Sequence, residues 1–173
     1  MPILETRQLP WPDEATCAAT AAQLAARPAL ADAYVELHGP LGAGKTTFAR
    51  HLLHALGVQG RVKSPTYAVM EPYELAHLHI WHFDFYRFED PQEWEDAGFR
   101  DVFASVGLKL AEWPEKAEGL LPEPDLEIHI EPNDASMATN ASADPASSPT
   151  EAPAASRSVR FVARTARGLT LLP

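Results

Sequence analysis

The sequence predicts an α/β fold, a central parallel sheet flanked by helices with antiparallel strands at its C-terminal end, and three features carry that expectation. Tyr34-Val35-Glu36-Leu37-His38 is a β-favouring run that empties into the glycine-rich stretch from Gly39 to Gly44. Phe48, Ala49, Leu52, Leu53 and Leu56 then recur at helical spacing until Gly57 supplies a stop. Ile80–Asp84 and Leu108–Glu112 are two further apolar runs, each ending in a carboxylate. Leu126, Ile128 and Ile130 alternate with polar residues, and Val159, Phe161 and Ala163 repeat the same period, so two more strands are expected near the end.

Taken in order, Asp13 caps an alanine-rich helix that stops before Pro28. The strand–loop–helix unit follows, through Gly57. Lys63-Ser64-Pro65-Thr66 is polar and broken by proline, hence a loop, and Tyr67-Ala68-Val69-Met70 reads as a strand. Asp90-Pro91-Gln92-Glu93 combines an N-cap aspartate, a proline in the first turn and an acid three residues on. The helix it opens is expected to carry Trp94, Ala97 and Phe103. Between the last two strands, residues 132–156 contain no aromatic or branched aliphatic side chain. Such a segment cannot bury enough apolar surface to offset its ordering entropy, so a disordered insertion at a hairpin tip is expected, with a functional linker as the other reading.

At 173 residues the chain is expected to form one domain, with 46% apolar residues to fill its core. The 14 Lys+Arg against 24 Asp+Glu give a net charge of −10, which argues against a protein that grips nucleic acid unaided. Cys17 is the only cysteine, which leaves no disulfide framework and no thiolate metal cluster. No basic-then-apolar leader is legible at the N-terminus and no window approaches a membrane span, so a cytoplasmic protein without membrane contact is expected.

Gly39-Pro40-Leu41-Gly42-Ala43-Gly44-Lys45-Thr46 matches G-x-x-x-x-G-K-T, the Walker A phosphate-binding loop, in the strand–loop–helix context that such a loop needs. A P-loop NTPase-like fold and nucleoside triphosphate binding are therefore expected. Backbone N–H groups from Gly39 and Leu41 through Thr47 would converge on phosphate oxygens at a helix N-terminus. Lys45 would reach the β/γ-phosphates, and Thr46 would take a Mg²⁺ position. A second carboxylate must organise the Mg²⁺, and a group must align the attacking water. Asp84 and Glu112 both end strands, where α/β ligands bind, and are the candidates. Glu112 could ligate Mg²⁺, polarise water, or do both. Ser64 and Thr66 occupy the loop position of a γ-phosphate-sensing switch, although an ordinary turn would look the same. His77, His79 and His82 lack cysteine or acidic partners at zinc spacing and read as core or surface residues. Trp94 and Trp113 read as packing residues. No N-K-x-D guanine motif is present, so an adenine nucleotide is expected by elimination.

Together these pieces resemble one family, the ATPase subunit TsaE of the bacterial tRNA threonylcarbamoyladenosine system. Leu41 to Thr47 reads as the family's LGAGKTT, Ser64-Pro65-Thr66-Tyr67 as its SPT-aromatic switch, His82 to Arg87 as its HFDxYR, and Glu112-Trp113-Pro114 as its EWP. Pro12-Asp13-Glu14 and Thr16 open the first helix as in the family, and Arg157 resembles an arginine placed near the nucleotide. The likeness runs from about Asp13 to Ile130 and from Arg157 to Gly168. Two features depart from it: Pro40 stands where the family usually carries an acid, and the 132–156 insertion has no counterpart. The resemblance implies a slow, partner-dependent ATPase using ATP and Mg²⁺. Lys45, Asp84, Thr66 and Glu112 would be its catalytic residues, with Thr46, Asp84 and Glu112 at the metal and Thr16 and Arg157 also at the nucleotide. It further implies two partner proteins of the TsaD and TsaB type, which transfer a threonylcarbamoyl group to tRNA while this chain meets tRNA only indirectly. A P-loop small-metabolite kinase is the alternative, and would need an Arg-rich lid and an acceptor pocket. A nucleotide-dependent binding module without useful hydrolysis is a third reading.

Overall fold

Alternation along β2 (Tyr34–His38) organises the molecule. Val35 and Leu37 point to one face of the sheet and are fully buried there, while Tyr34, Glu36 and His38 point to the other. The protein is described here by a computed structural model covering residues 2–65, 67–133 and 156–173. Its elements after β1 (Glu5–Trp11) run α1 (Glu14–Ala25), β2, α2 (Lys45–Leu56), β3 (Met70–Leu75), β4 (Leu78–Asp84), α3 (Pro91–Asp96), α4 (Phe99–Ala104), β5 (Leu108–Glu112), β6 (Leu126–Pro132), β7 (Arg157–Ala163) and α5 (Ala166–Leu171). Short 3₁₀ turns at Pro28–Asp32 and Pro114–Ala117 complete the described elements.

Seven strands form one sheet in the order β1-β7-β6-β2-β5-β4-β3. The central β6-β2-β5-β4 pairings are parallel, and β1–β7, β7–β6 and β4–β3 are antiparallel. The expected parallel centre and C-terminal antiparallel strands are therefore present, and antiparallel strands close both edges. One core lies under α1 and α2, where Phe48, Ala49, Leu52 and Leu53 pack on Val35, Leu37, Leu108, Leu110, Ile128 and Ile130. The second core lies on the opposite face and is largely aromatic: Phe83, Phe85, Trp94 and Phe99 with Trp81 and Tyr34. Phe83 stacks on Phe85 at 5.4 Å and meets Phe99 edge-on at 5.2 Å.

Local signals explain most boundaries. Asp13 accepts a hydrogen bond from the Thr16 amide at 2.8 Å and caps α1. Those bonds hold the exposed Asp13 carboxyl below its ordinary range. Asp90 caps α3 in the same way through the Gln92 amide, at 2.9 Å. Two expectations need correction, and two elements are additional to those expected. The helix opened by Asp90 does not run on to Phe103: it ends at Asp96, Gly98 turns into the left-handed region, and α4 begins anew, which lets Trp94 and Phe99 face the same core. The strand expected at Tyr67–Met70 begins only at Met70, because Val69 has φ 64° and closes a turn onto the Pro65 carbonyl. β1 and α5 carry no strong sequence pattern and were not expected. The hairpin of β6 and β7 is closed by the Asn133 amide on the Ser156 carbonyl at 2.9 Å. Pro132 itself pairs with Arg157, so the ladder reaches into the expected insertion. The rest of that insertion, 134–155, lies outside the described residues.

Candidate functional site

The parallel strands β2, β5 and β4 end together, and their registers place Leu37 beside Glu112 and Glu112 beside Asp84. Alternation sends both carboxylates to the α2 side of the sheet, alongside Leu110 and His82. The chain leaves β2 at His38, forms the loop from Gly39, and enters α2 at Lys45. A cleft of about 400 Å³ results, lined by Leu41 to Thr47, Ser64, Asp84, Tyr86, Arg87, Glu112, Trp113 and Arg157.

Two glycines are required by geometry. A Cβ on Gly39 would stand 2.3 Å from the Ile130 carbonyl oxygen, so the loop starts hard against β6. Gly44, at φ 104°, caps α2 in a left-handed conformation, and the Arg157 guanidinium lies where its side chain would point, 3.1 Å from an added Cβ.

Within the cleft, Lys45 donates to the carbonyls of Gly39 and Pro40, the latter at 3.0 Å, and its ammonium lies 4.0 Å from the centre of the Trp113 ring. Burial lowers its pKa, while the charges of Glu112, Glu115 and Asp84 pull it back up. The Thr46 hydroxyl donates to Glu112 Oε1 at 2.7 Å. Glu112 Oε2 meets His82 Nε2, also at 2.7 Å, and both side chains are essentially sealed from solvent. Asp84 receives the Ser64 hydroxyl on Oδ2 and the Tyr86 amide on Oδ1 at 3.0 Å. Three buried side-chain polar atoms among the described residues lack hydrogen-bond partners, and two, Arg157 Nε and His82 Nδ1, belong to this neighbourhood. An unpartnered guanidinium nitrogen beside a loop of backbone amides is what a bound anion would satisfy. The Thr46 hydroxyl and two carboxylates, all hard oxygen donors, fit Mg²⁺.

The structure thus brings together Leu41, Gly42, Ala43, Gly44, Lys45, Thr46, Thr47, Asp84, Glu112 and Arg157. Gly39 supports the site from behind, through its contact with Lys45. Thr16 is not among the residues lining the cleft: its amide and hydroxyl are both spent on Asp13, at 2.8 Å each. Thr66 lies outside the described residues. Ser64 joins the site. Trp113, read from sequence as a packing residue, lines the cleft under Lys45, and its φ of 55° is a left-handed strain in a non-glycine residue. His82, read from sequence as a core or surface histidine and as the first residue of the HFDxYR stretch, is buried and set against Glu112. Its position two residues before Asp84 on one strand was the available signal, since that spacing puts both on one face.

A family model described as Threonylcarbamoyl adenosine biosynthesis protein TsaE matches residues 11–140. The chain is 50% identical over 97 residues to the tRNA threonylcarbamoyladenosine biosynthesis protein TsaE of Haemophilus influenzae, covering 56% of this chain and 61% of that one. It is 37% identical over 128 residues to the protein of the same name from Bacillus subtilis, covering 72% of this chain and 78% of the relative. The matched part is thus less than two thirds of the Haemophilus protein and more than that of the Bacillus one. Among solved structures, the crystal structure of Bacillus subtilis YdiB superposes with a TM-score of 0.70 at 24% identity, over 99% of this chain and 94% of that one. That likeness bears on the fold.

Proposed function

The chain belongs to the TsaE family, and from that premise we propose that it is the ATP-binding and ATP-hydrolysing subunit of the machinery that makes threonylcarbamoyladenosine in tRNA. The contact between the Thr46 hydroxyl and Glu112 carries this reading, because it joins the P-loop directly to a buried strand-end acid. The amides from Leu41 to Thr47 hold the phosphates of ATP, and Arg157 meets them from β7. Lys45 leaves the Gly39 and Pro40 carbonyls for phosphate oxygens and brings its charge with it. Thr46, Asp84 and Glu112 hold Mg²⁺, which when bound neutralises charge on the phosphates. Glu112 orients the attacking water and takes up its proton, while His82 fixes the direction of the carboxylate. The water oxygen bonds to the γ-phosphorus as the bond from that phosphorus to the bridging oxygen of ADP breaks, Glu112 passes its proton to the departing phosphate, and phosphate and ADP leave.

Turnover resets a partner complex of the TsaD and TsaB type, which performs the transfer to tRNA. Two properties support dependence on protein partners. Leu41, Tyr67 and Tyr86 are large exposed side chains around the cleft, with Tyr67 against Arg87, a surface suited to being covered. The net charge of −10 leaves tRNA contact to the partners. The cytoplasm is the compartment where that chemistry is needed, and no helix among the described residues is long and apolar enough to cross a membrane.

The test is ATP consumption by the purified chain alone and then with TsaD- and TsaB-type proteins. A rise with the proteins is expected. Consumption that responds instead to a small hydroxyl acceptor would favour the metabolite kinase.

A further inference from the structure

We propose that His38, His129 and Glu127 form a second metal site, separate from the nucleotide cleft, that takes a borderline transition cation such as Zn²⁺ and clamps β2 to β6 at the entrance to the P-loop. His38 and His129 are register partners on adjacent parallel strands, and Glu36 and Glu127 are the partners two residues earlier. Period-two alternation therefore puts two imidazoles and two carboxylates on one face. One ligand atom from each of His38, Glu127 and His129 lies within 4.8 Å of the other two. Zinc bonds of about 2.0–2.2 Å to imidazole and carboxylate need ligand atoms about 3.3–3.5 Å apart, so closure asks for side-chain shifts of about 1 Å. Both rings are about a quarter exposed, at 24% and 23%, which leaves room for that. They stack at 4.4 Å and 13°, so one must turn out of the stack for the two Nε2 lone pairs to converge.

The surroundings resemble a built site. His38 Nε2 meets Glu36 Oε2 and His129 Nε2 meets Glu127 Oε2, each at 2.8 Å. Outside these, the Tyr34 hydroxyl donates to Glu36 at 2.8 Å and Arg164 Nε donates to Glu127 Oε1 at 2.8 Å. Those outer bonds orient both carboxylates, as second-layer partners orient ligands in known metal centres. Glu115 stands 4.0 Å from His38 Nδ1 and Arg160 is the β7 register partner of His129. The immediate charge is then three acids against two arginines. A cleft of about 310 Å³ is lined by Glu36, His38 and Glu115, so the His38 side of the cluster opens to solvent. Two imidazoles disfavour Mg²⁺ and Ca²⁺ and suit Zn²⁺ or Co²⁺, so the site differs in kind from the all-oxygen set of Thr46, Asp84 and Glu112. His38 directly precedes Gly39, and Ile130, against which Gly39 packs, directly follows His129. A metal here would fix the two strand ends on which the loop rests.

The experiment titrates the full chain, without nucleotide, with Zn²⁺ by calorimetry and with Co²⁺ by visible absorption. One ion per chain is expected, with ligand-field bands of a low-coordinate cobalt centre. His38→Ala and His129→Ala should each weaken binding at least about tenfold, whereas His79→Ala, on the far half of the sheet, should not. Histidine ring ¹⁵N spectra of the unmodified protein give a reading that does not depend on variants folding: Zn²⁺ should shift two ring systems, those assigned to His38 and His129. Unchanged affinity in both variants, absence of a ring shift, or binding that disappears in Glu112→Gln and so belongs to the cleft would each overturn the proposal.

Discussion

Glu112→Gln tests the chemistry with the least change in shape. Both carboxylate oxygens are engaged, one by the Thr46 hydroxyl and one by His82, at 2.7 Å each. Glutamine keeps an acceptor for one of them and presents an NH₂ to the other. Either neighbour can adapt. The Thr46 hydroxyl can turn to accept, and the unpartnered Nδ1 of His82 can take the ring proton so that Nε2 accepts. Hydrogen bonds to a charged group contribute about 1.5–3 kcal/mol against about 0.5–1.5 for neutral ones, so two weakened bonds cost about 2 kcal/mol. Removing a carboxylate that is only 1% exposed offsets part of that loss, so the melting temperature should move by only a few degrees. Hydrolysis should behave differently. Losing the group that orients water and receives its proton costs on the order of 10²–10⁴ in rate, or about 2.7–5.5 kcal/mol of barrier. ATP affinity should change less than about tenfold, since Lys45 and the loop amides remain. Single-turnover hydrolysis and equilibrium nucleotide binding on the same variant, both with Mg²⁺, decide the matter. Equal loss in both would recast Glu112 as chiefly a Mg²⁺ ligand, and no loss in either would refute its role.

Lys45→Ala should fold, since its own bonds are to two loop carbonyls, but should lose the thermal stabilisation by ATP, which for the unmodified chain is about 2.7 kcal/mol at 100 times Kd; an undiminished shift would remove Lys45 from the site. Glu127 is raised by burial and lowered more strongly by the hydrogen bonds from His129 and Arg164 and by the charge of Arg164, ending at about 2 against an ordinary 4.5. A depressed carboxyl stabilises above its unfolded pKa, so this contribution, about 3 kcal/mol at most, should be complete above about pH 5 and drain away toward pH 2. Denaturation curves of Glu127→Gln and the unmodified chain should therefore converge in acid, and parallel curves would contradict the assignment. Replacing residues 134–155 by a short turn should leave the melting temperature nearly unchanged, because Asn133 and Ser156 already close the hairpin at 2.9 Å and loop length enters closure entropy only logarithmically. Loss of ATP binding on that replacement would give the segment a role at the cleft.

What the sequence made legible follows from where its signals are local. The P-loop needs consecutive residues, and both its strand and its helix were bounded correctly by apolar spacing and Gly57. Asp84 and Glu112 were legible because each terminates an apolar run, and parallel register then sets them side by side. β1 carries little signal because Leu9 and Trp11 share their face with the charged Glu5 and Arg7, on an edge strand that tolerates Pro10. The late start of β3 was hidden because the left-handed turn at Val69 contradicts the β-propensity of the valine that makes it. Trp113 and His82 were hidden for another reason. A tryptophan after a strand and a histidine within one are ordinary packing residues until tertiary structure lays a lysine over the first and a carboxylate against the second. Thr16 shows the converse: a motif position is satisfied by a cap, its amide and hydroxyl both bonding to Asp13.

The polar pattern of β6 has a cause that reaches beyond secondary structure. Parallel strands are usually covered on both faces and read as continuous apolar runs. β6 pairs in parallel with β2, yet its sequence alternates, with Leu126, Ile128 and Ile130 buried toward α2 while Glu127, His129 and Glu131 point away. The aromatic layer under α3 and α4 covers β4 and β5 and reaches β2 only at Tyr34. Beyond that line the sheet carries Glu36, His38, Glu127, His129 and Arg160, and ion pairs replace a second helical layer. A shift of β6 by one residue against β2 would bury Glu127 and His129 under α2 and expose Ile128 and Ile130, so register is strongly specified. The same register sets the Ile130 carbonyl against Gly39. The charged half-face therefore does not merely tolerate solvent: by penalising a one-residue slip of β6 against β2, it helps fix the strand ends from which the phosphate loop departs.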